Sequence, residues 1–541
     1  MNQYQDLHVL VLGLGESGLA MARWCARFGA QVQVWDSRES PPQAAALRES
    51  VPQAVLHSGA LTVEQLADVN LLLKSPGLAP GDTRIVPLLD AARAAGIVIA
   101  GELDLFARAL ADLKAERGYS PKVLAITGTN GKTTTTAMCA LLVARCGLRV
   151  AAAGNIGPTM LATLADALDR EPVAVRSAAD AEPAHSPAHP LPAAPAFSVL
   201  PEVWVLELSS FQLDGVQGFE PDAATVLNIT QDHLDWHGTM DAYAAAKARI
   251  FGQASMRVVN RDDLQCQAMV PAPVLVKGGR GQPARSVGPK VVRFGLDAPQ
   301  NPGDFGLVIE AGMAWLVRAR EVDETVKRRK GEADEIVLQR LMPADALRVR
   351  GRHNAANALA ALALATAIGC PLNALLHGLR DYAGEPHRVE FIARVGDVDA
   401  YDDSKGTNVG ATVAALLGLG ADQAPAKLVV ILGGDGKGQD FCPLAGPVAR
   451  FARAVALIGR DAGVIDAVLA ADPGAASVLR QQHDSLASAV AWCYAQARAG
   501  DAVLLSPACA SLDMFRNYGH RAEVFVAAVQ AHAAELGEAV L

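Results

Sequence analysis

Short apolar runs rich in Val, Leu and Ile alternate along this chain with Ala-rich stretches of helical period, and glycine, proline or polar clusters punctuate them. The runs predict strands over His8–Leu12, Gln31–Trp35, Leu71–Lys74, Val98–Ala100, Val123–Ile126, Val203–Leu208 and Ala224–Ile229. The pattern returns later, over Lys427–Leu432, Ala454–Ile458 and Ala502–Leu505. Helical patterns lie between these strands, as parallel pairing requires, so the expected fold class is α/β with mostly parallel sheets. Residues 288–350 alternate apolar and polar positions instead and predict a small antiparallel sheet. The uncharged stretch from Asn354 to Asn373 reads as one buried helix. From about Arg170 to Leu200 a Pro/Ala-rich segment has no period and reads as a disordered insertion. The basic residues within 318–330, interrupted by Glu321, Asp323 and Glu324, read as a solvated hairpin or loop.

With 541 residues the chain is too long for one core. The element order divides it into three modules: 1–112, 113–385 and 386–541. The first opens with a strand, the turn Gly13-x-Gly15-x-x-Gly18, a helix and a second strand ending at Asp36, which is a Rossmann-like unit. The third, again strands alternating with helices, is expected to be Rossmann-like as well. Taken alone, the first turn would predict an NAD enzyme whose Asp36 binds a ribose hydroxyl.

A second glycine turn changes that picture. Residues 121–136 read Pro-Lys-Val-Leu-Ala-Ile-Thr-Gly-Thr-Asn-Gly-Lys-Thr-Thr-Thr-Thr, a strand leading into Gly128, Gly131, Lys132 and Thr133 with a helix behind them. Glycines let backbone N–H groups close on phosphate oxygens, and the helix start favours the same charge. Lys132 can reach outer phosphates and Thr133 can offer a hydroxyl to Mg²⁺. The competing reading is a Gly/Asn turn before an ordinary helix. The central module therefore reads as a P-loop-type ATPase domain, and hydride transfer has no use for triphosphate at such a turn. Glu207 interrupts an apolar strand, and His233 follows another strand within Asn-Ile-Thr-Gln-Asp-His-Leu-Asp. With Thr133 they form a candidate shell for Mg²⁺. In the third module Asp403-Ser404-Lys405, Gly434-Asp435-Gly436-Lys437 and Ser511-Leu512-Asp513 fall at or beyond strand ends, where open α/β sheets bind ligands.

Composition narrows the partners. A net charge of −9 with no basic stripe excludes a nucleic-acid backbone as ligand. No run approaches the roughly 20 apolar residues of a membrane span, and the first residues lack the form of a signal peptide. Eight cysteines without a Cys-x-x-Cys pair fit reduced thiols in the cytoplasm.

These residues together resemble the Mur ligases. The shortened Thr-Gly-Thr-Asn-Gly-Lys-Thr-Thr turn, Gly154-Asn155-Ile156-Gly157, Glu207 with Leu-Ser-Ser-Phe-Gln-Leu, Asp232-His233, Gly351-Arg-His-Asn354-Ala-Ala-Asn357 and Pro386-His387-Arg388 occur in the family's order. Asp403-Ser-Lys405-Gly-Thr407-Asn and Leu505-Ser-Pro-Ala-Cys-Ala-Ser511-Leu512-Asp are similar to the branch that adds D-glutamate to UDP-N-acetylmuramoyl-L-alanine. The resemblance implies an ATP-dependent ligase working through an acyl phosphate, a monomer binding neither nucleic acid nor membrane. It implies that the first module holds UDP rather than NAD, with Ser17, Asp36, Ser37, Arg38, Gly77 and Asn155 at the sugar nucleotide. ATP would lie against Gly128, Thr129, Asn130, Gly131, Lys132, Thr133 and Thr134, with Asn354, Asn357, Arg388, Asp403 and Lys405 as the facing wall. Thr407, Lys437, Ser511, Leu512 and Tyr518 would take D-glutamate, Tyr518 standing where the family leads one to expect Phe. Two Mg²⁺ ions would be held by Thr133, Glu207, His233 and a carbamylated Lys247, although sequence alone shows Lys247 only as a lysine on a helix. The base that frees the attacking amine stays open between His387 and a carboxylate.

Overall fold

The protein is described by a computed structural model covering residues 4–172, 197–253, 255–276, 285–322, 335–349 and 351–538. The predicted insertion near 170–200 lies largely outside the described residues, as do 323–334 of the predicted basic loop. The chain divides into two compact units: Met1–Thr127, Val143–Ala224 and Ala245–Met256 in one, Gly128–Leu142, Thr225–Ala244 and Arg257–Leu541 in the other.

In the first unit a five-stranded sheet runs in the order Val55–Ser58, Gln31–Asp36, His8–Leu12, Leu71–Lys74, Val98–Ala100. Every pair is parallel, with Val9 opposite Val32 on one side and Leu71 on the other. The strand order reverses beside His8–Leu12, which places a crevice beyond its carboxyl end. Leu10, Leu12, Trp35, Leu72, Leu88 and Leu89 pack one core beneath it. The same unit holds the parallel strands Lys122–Thr127, Val203–Glu207 and Val150–Gly154, which set Ile126 and Gly154 on either side of Glu207. The Glu171 carboxylate accepts N–H groups from Ser198, Val199 and Leu200.

In the second unit Met256–Asn260 pairs in parallel with Val291–Phe294. An antiparallel sheet of Phe305–Glu310, Met313–Glu321 and Ile336–Pro343 matches the alternation expected in 288–350. Residues 318–321 belong to that sheet rather than to a loop, because Val317 and Ala319 bury on its inner face while the arginines alternate outward. The predicted single helix over 354–373 is two: Arg352–Ala367, almost wholly buried, and Leu372–Asp381. Gly369 at φ +90° and Pro371 force the break. A six-stranded sheet closes the unit, in the order Glu390–Val395, Val398–Asp402, Ala502–Leu505, Leu428–Gly433, Ala452–Ile458, Leu479–His483. All but the first pair are parallel. Its four central strands are buried on both faces, as their apolar runs demand, while the edge strands Glu390–Val395 and Leu479–His483 are partly exposed.

Candidate active site

In the first unit Gly13 turns at φ +86°, the Ser75 hydroxyl donates to its carbonyl at 2.8 Å, and a Cβ on Gly18 would collide with that carbonyl. Only glycine fits where the helix starts this close to the turn. Asp36 is 2% exposed; its Oδ2 accepts from Leu14 N at 2.7 Å, and the Arg38 guanidinium reaches both oxygens at 2.7 and 2.8 Å. Burial pushes this carboxyl upward, but the hydrogen bonds from Arg38 and Leu14 outweigh it and hold the pKa at about 2. Asp36 is thus an ionised brace for the turn. The crevice above it, about 550 Å³, is lined by Ser17, Ser37, Arg38 and Gly77, all expected, and also by Gly15 of the turn and by Arg84. Arg84 donates to the Ser37 hydroxyl at 3.0 Å; it sits on a loop and no motif marks it.

Glu207 ends its strand 2% exposed. Its carboxylate accepts from Asn155 Nδ2 at 2.9 Å, while Asn155 N–H donates to the Glu207 carbonyl at 2.8 Å. Gly154 holds φ +121°, and a side chain there would meet the same carbonyl. Among the described residues no cationic side chain pairs with Glu207. A buried carboxylate in that state favours a cation at its free edge. Lys247, on the helix Met240–Ala248, is fully buried rather than solvated, its ammonium 3.3 Å from the Thr127 hydroxyl.

In the second unit the loop from Gly128 to Lys132 is held from both sides. Thr129 N–H donates to Asn228 O at 2.9 Å, Asn130 N–H to Asn228 Oδ1 at 2.8 Å, and Asn228 Nδ2 returns to Asn130 O at 3.0 Å. The Thr129 hydroxyl lies 3.1 Å from that of Tyr243. Lys132 folds its ammonium onto the carbonyls of Gly128 and Thr129, both at 2.9 Å. Gly131, at φ +83°, lies so close to Asn357 that a Cβ would stand 2.5 Å from its amide oxygen. Asn357 in turn donates to Asn354 at 3.1 Å. Arg388 Nη2 donates to the Thr133 hydroxyl at 2.5 Å. Asn408 Nδ2 reaches Asn130 Oδ1 at 3.1 Å and Asp232 at 3.3 Å. His233 follows in the left-handed region at φ +54°, its Nε2 3.6 Å from Asp232. The crevice beside the loop is lined by Asn130, Gly131, Thr134, Asn354, Asn357, Arg388 and Asp403, all expected, together with His353. Burial pushes the His353 pKa down to about 4, so the ring is neutral at physiological pH.

Asp403 is buried and accepts from the Ser506 hydroxyl at 2.6 Å. Burial, with the Asp402 charge adding to it, pushes its pKa up to about 7 against the pull of Ser506 and Arg388. Lys405 lies 3.8 Å over the Tyr518 ring, a cation–π contact, and Thr407 N–H donates to the Lys405 carbonyl at 2.9 Å. Asp435 and Ala510 exchange backbone hydrogen bonds of 3.0 and 2.9 Å, drawing together the loops that carry Lys437 and Ser511. Lys437 is exposed at φ +51°, Ser511 is buried and Leu512 stands exposed. Arg521, completely buried, ties these loops by donating to Cys509 O at 3.1 Å and Ser404 O at 2.8 Å. Burial lowers its pKa to about 10, which leaves it charged. It was missed, though an arginine on the apolar face of an Ala/Val-rich helix is a readable signal.

The chain matches the Mur ligase MurD-like N-terminal domain over residues 7–101, the Mur ligase middle domain over 126–365 and the Mur ligase glutamate ligase domain over 387–509. The UDP-N-acetylmuramoylalanine–D-glutamate ligase of Albidiferax ferrireducens is 58% identical over 541 residues, covering 100% of this chain and 99% of that protein. The chain belongs to the Mur ligase family. Proteins of the same name from Ralstonia nicotianae and a Polaromonas species are 53% and 49% identical, each with at least 98% of both chains covered. In fold it is similar to the MurF ligase of Thermotoga maritima solved in complex with ADP, at a TM-score of 0.52, 14% identity and coverage of 99% and 96%. Mur ligases use ATP and Mg²⁺, and the buried Glu207 carboxylate suits such a cation.

Proposed function

We propose that this Mur ligase joins D-glutamate to UDP-N-acetylmuramoyl-L-alanine at the expense of ATP, through an acyl phosphate, in peptidoglycan precursor synthesis. The observation that carries the reading is the braced loop of 128–133, whose Thr133 hydroxyl accepts from Arg388 and whose Gly131 packs against Asn357. A carboxylate does not yield an amide in water because its oxygen is a poor leaving group; phosphorylation makes it a good one. Backbone N–H groups of Gly128–Thr133 and the Lys132 ammonium neutralise the transferring phosphoryl group, so positioning and charge do most of the work. Arg388, already at Thr133, adds a second cation there. Asn354 and Asn357 face the nucleoside, and Asp403 accepts from its ribose. Lys405 is shared between the nucleotide and the amino-acid side.

Ser17, Asp36, Ser37, Arg38 and Gly77 hold the uridine diphosphate end, and Asn155 the sugar beyond it. Thr407, Lys437, Ser511, Leu512 and Tyr518 hold D-glutamate. Bound Mg²⁺, a pair of ions in this reading, would lower the cost of bringing the triphosphate and the acid together. Thr133, Glu207, His233 and Lys247 would hold it. A buried lysine suits carbamylation, because the carbamate is an anionic oxygen donor whereas an ammonium would repel a cation. The modules 1–112, 113–385 and 386–541 each bring one ligand. The protein acts as a cytoplasmic monomer; among the described residues no helix is long and apolar enough to cross a membrane.

Phosphate release from ATP, measured with UDP-N-acetylmuramoyl-L-alanine and each of D-glutamate, L-glutamate, L-alanine and diaminopimelate, tests the reading. D-Glutamate alone should stimulate it. Stimulation by another of the four would assign a sister reaction. A thermal shift with NADH but none with UDP would return the first module to a redox reading.

A further inference from the structure

We infer that the Asp402 carboxylate fixes the tautomer of His387, and that His387 takes the proton the D-glutamate ammonium must lose before it attacks; the inference rests on the ligase reading above. Asp402 ends the strand Val398–Asp402 and is completely buried. Its Oδ1 accepts from the Ser404 N–H at 2.9 Å and hydroxyl at 2.6 Å, and its Oδ2 lies 2.7 Å from His387 Nδ1. A carboxylate so enclosed places the ring proton on Nδ1, since a bare nitrogen there would set lone pair against lone pair. The neutral imidazole then carries its basic lone pair on Nε2, at the opposite edge. The His387 side chain is 33% exposed and that of Asp402 0%, so the accessible part of the ring is the edge away from the carboxylate.

Backbone placement aims the pair. His387 is held at φ +64°, its N–H donates to Glu390 at 2.8 Å, and its carbonyl accepts from Lys405 N at 3.1 Å. A left-handed conformation is strained for a non-glycine residue, so the surrounding hydrogen bonds hold it there. Adjacent residues thus face different reactants: Arg388 touches Thr133 of the phosphate loop, while the His387 ring stands 6.3 Å from that of Tyr518, edge-on at 70°. The Tyr518 ring also carries the Lys405 ammonium. The charged groups around the imidazole are therefore Asp402, Glu390, Arg388 and Lys405.

The step balances. One proton of the D-glutamate ammonium passes to Nε2, the nitrogen lone pair so freed bonds to the acyl carbon, and the second N–H proton leaves to solvent as the amide forms. The tetrahedral intermediate expels phosphate with the C–O electron pair, and the imidazolium beside Asp402 releases its proton to solvent. Asp402 is a positioning residue: it holds the ring and does not touch the reacting atoms.

Amide formation with D-glutamate and hydroxamate formation with hydroxylamine, a nucleophile already unprotonated at neutral pH, would be followed across pH for wild type, His387→Gln and Asp402→Asn. The D-glutamate rate should fall about 10²-fold in His387→Gln, with the acidic limb of its profile lost and hydroxamate formation falling far less. In Asp402→Asn the D-glutamate rate should also fall, with hydroxamate formation again falling far less, since the ring loses the partner that fixes its tautomer. An equal loss of both products in folded His387→Gln, or a D-glutamate rate within about twofold of wild type, would overturn the inference. If Asp402→Asn does not fold, His387→Gln decides. A wild type that forms hydroxamate but no D-glutamate amide would instead sink the assignment of D-glutamate as the amine, and one that forms neither would sink the ligase reading.

Discussion

Replacing Asp403 by asparagine should stabilise the ligand-free protein, and increasingly so as pH rises. The carboxyl is buried with Ser506 as its hydroxyl donor and Asp402 beside it, and its pKa stands at about 7 against an ordinary 3.8. Between those values the folded state binds a proton that the unfolded chain has lost, so stability falls as pH rises through this window and levels off above 7. At roughly 1.4 kcal/mol per pH unit the full cost of ionising the folded carboxyl is about 4 kcal/mol, an upper bound because water can relieve part of it. Asparagine keeps the acceptor for Ser506 and removes the charge. Urea unfolding of wild type and Asp403→Asn at pH 5 and pH 8.5, without nucleotide, gives the difference directly. The variant should gain a few kcal/mol more over wild type at the higher pH, yet bind ATP less well, because the ribose loses an anionic acceptor. A stability difference independent of pH would refute the reasoning.

Three further outcomes follow from the same geometry. Lys132→Ala should lower turnover by on the order of 10²–10³ in an ADP-release assay, as loss of a transition-state charge partner does, and near-normal turnover would remove the loop from the chemistry. Gly131→Ala should weaken nucleotide binding by about tenfold or more in calorimetry, because the left-handed turn costs about 1–2 kcal/mol and the new Cβ meets Asn357; unchanged affinity would show that the loop adapts freely. Lys247→Ala should inactivate the enzyme and be partly restored by added short carboxylates, and a neutral-pH map showing an unmodified amine would count against the carbamate.

Much of this was readable in advance where local chemistry dictates geometry. Gly13, Gly18, Gly128 and Gly131 announce turns that no other residue fits, and the uninterrupted Val/Leu runs announce strands buried on both faces. The break in the predicted 354–373 helix was also present, as Gly369 and Pro371, but the Ala/Leu composition concealed it. Of the hairpin or loop read for the basic residues, 318–321 form an arm of an antiparallel strand pair, with Ala319 buried between Arg318 and the exposed Arg320. Asp402 and Arg84 were out of reach for another reason. The contacts that give them a role, to His387 and Ser37, span 15 and 47 positions, and no spacing rule reports a contact that only the folded chain creates.

The most direct test of the central claim is the fate of one oxygen. UDP-N-acetylmuramoyl-L-alanine labelled with ¹⁸O in its carboxylate would be turned over with ATP and D-glutamate, and the inorganic phosphate examined by mass spectrometry. Activation through an acyl phosphate predicts one labelled oxygen in each phosphate formed. Phosphate free of label, with amide produced at the normal rate, would contradict it.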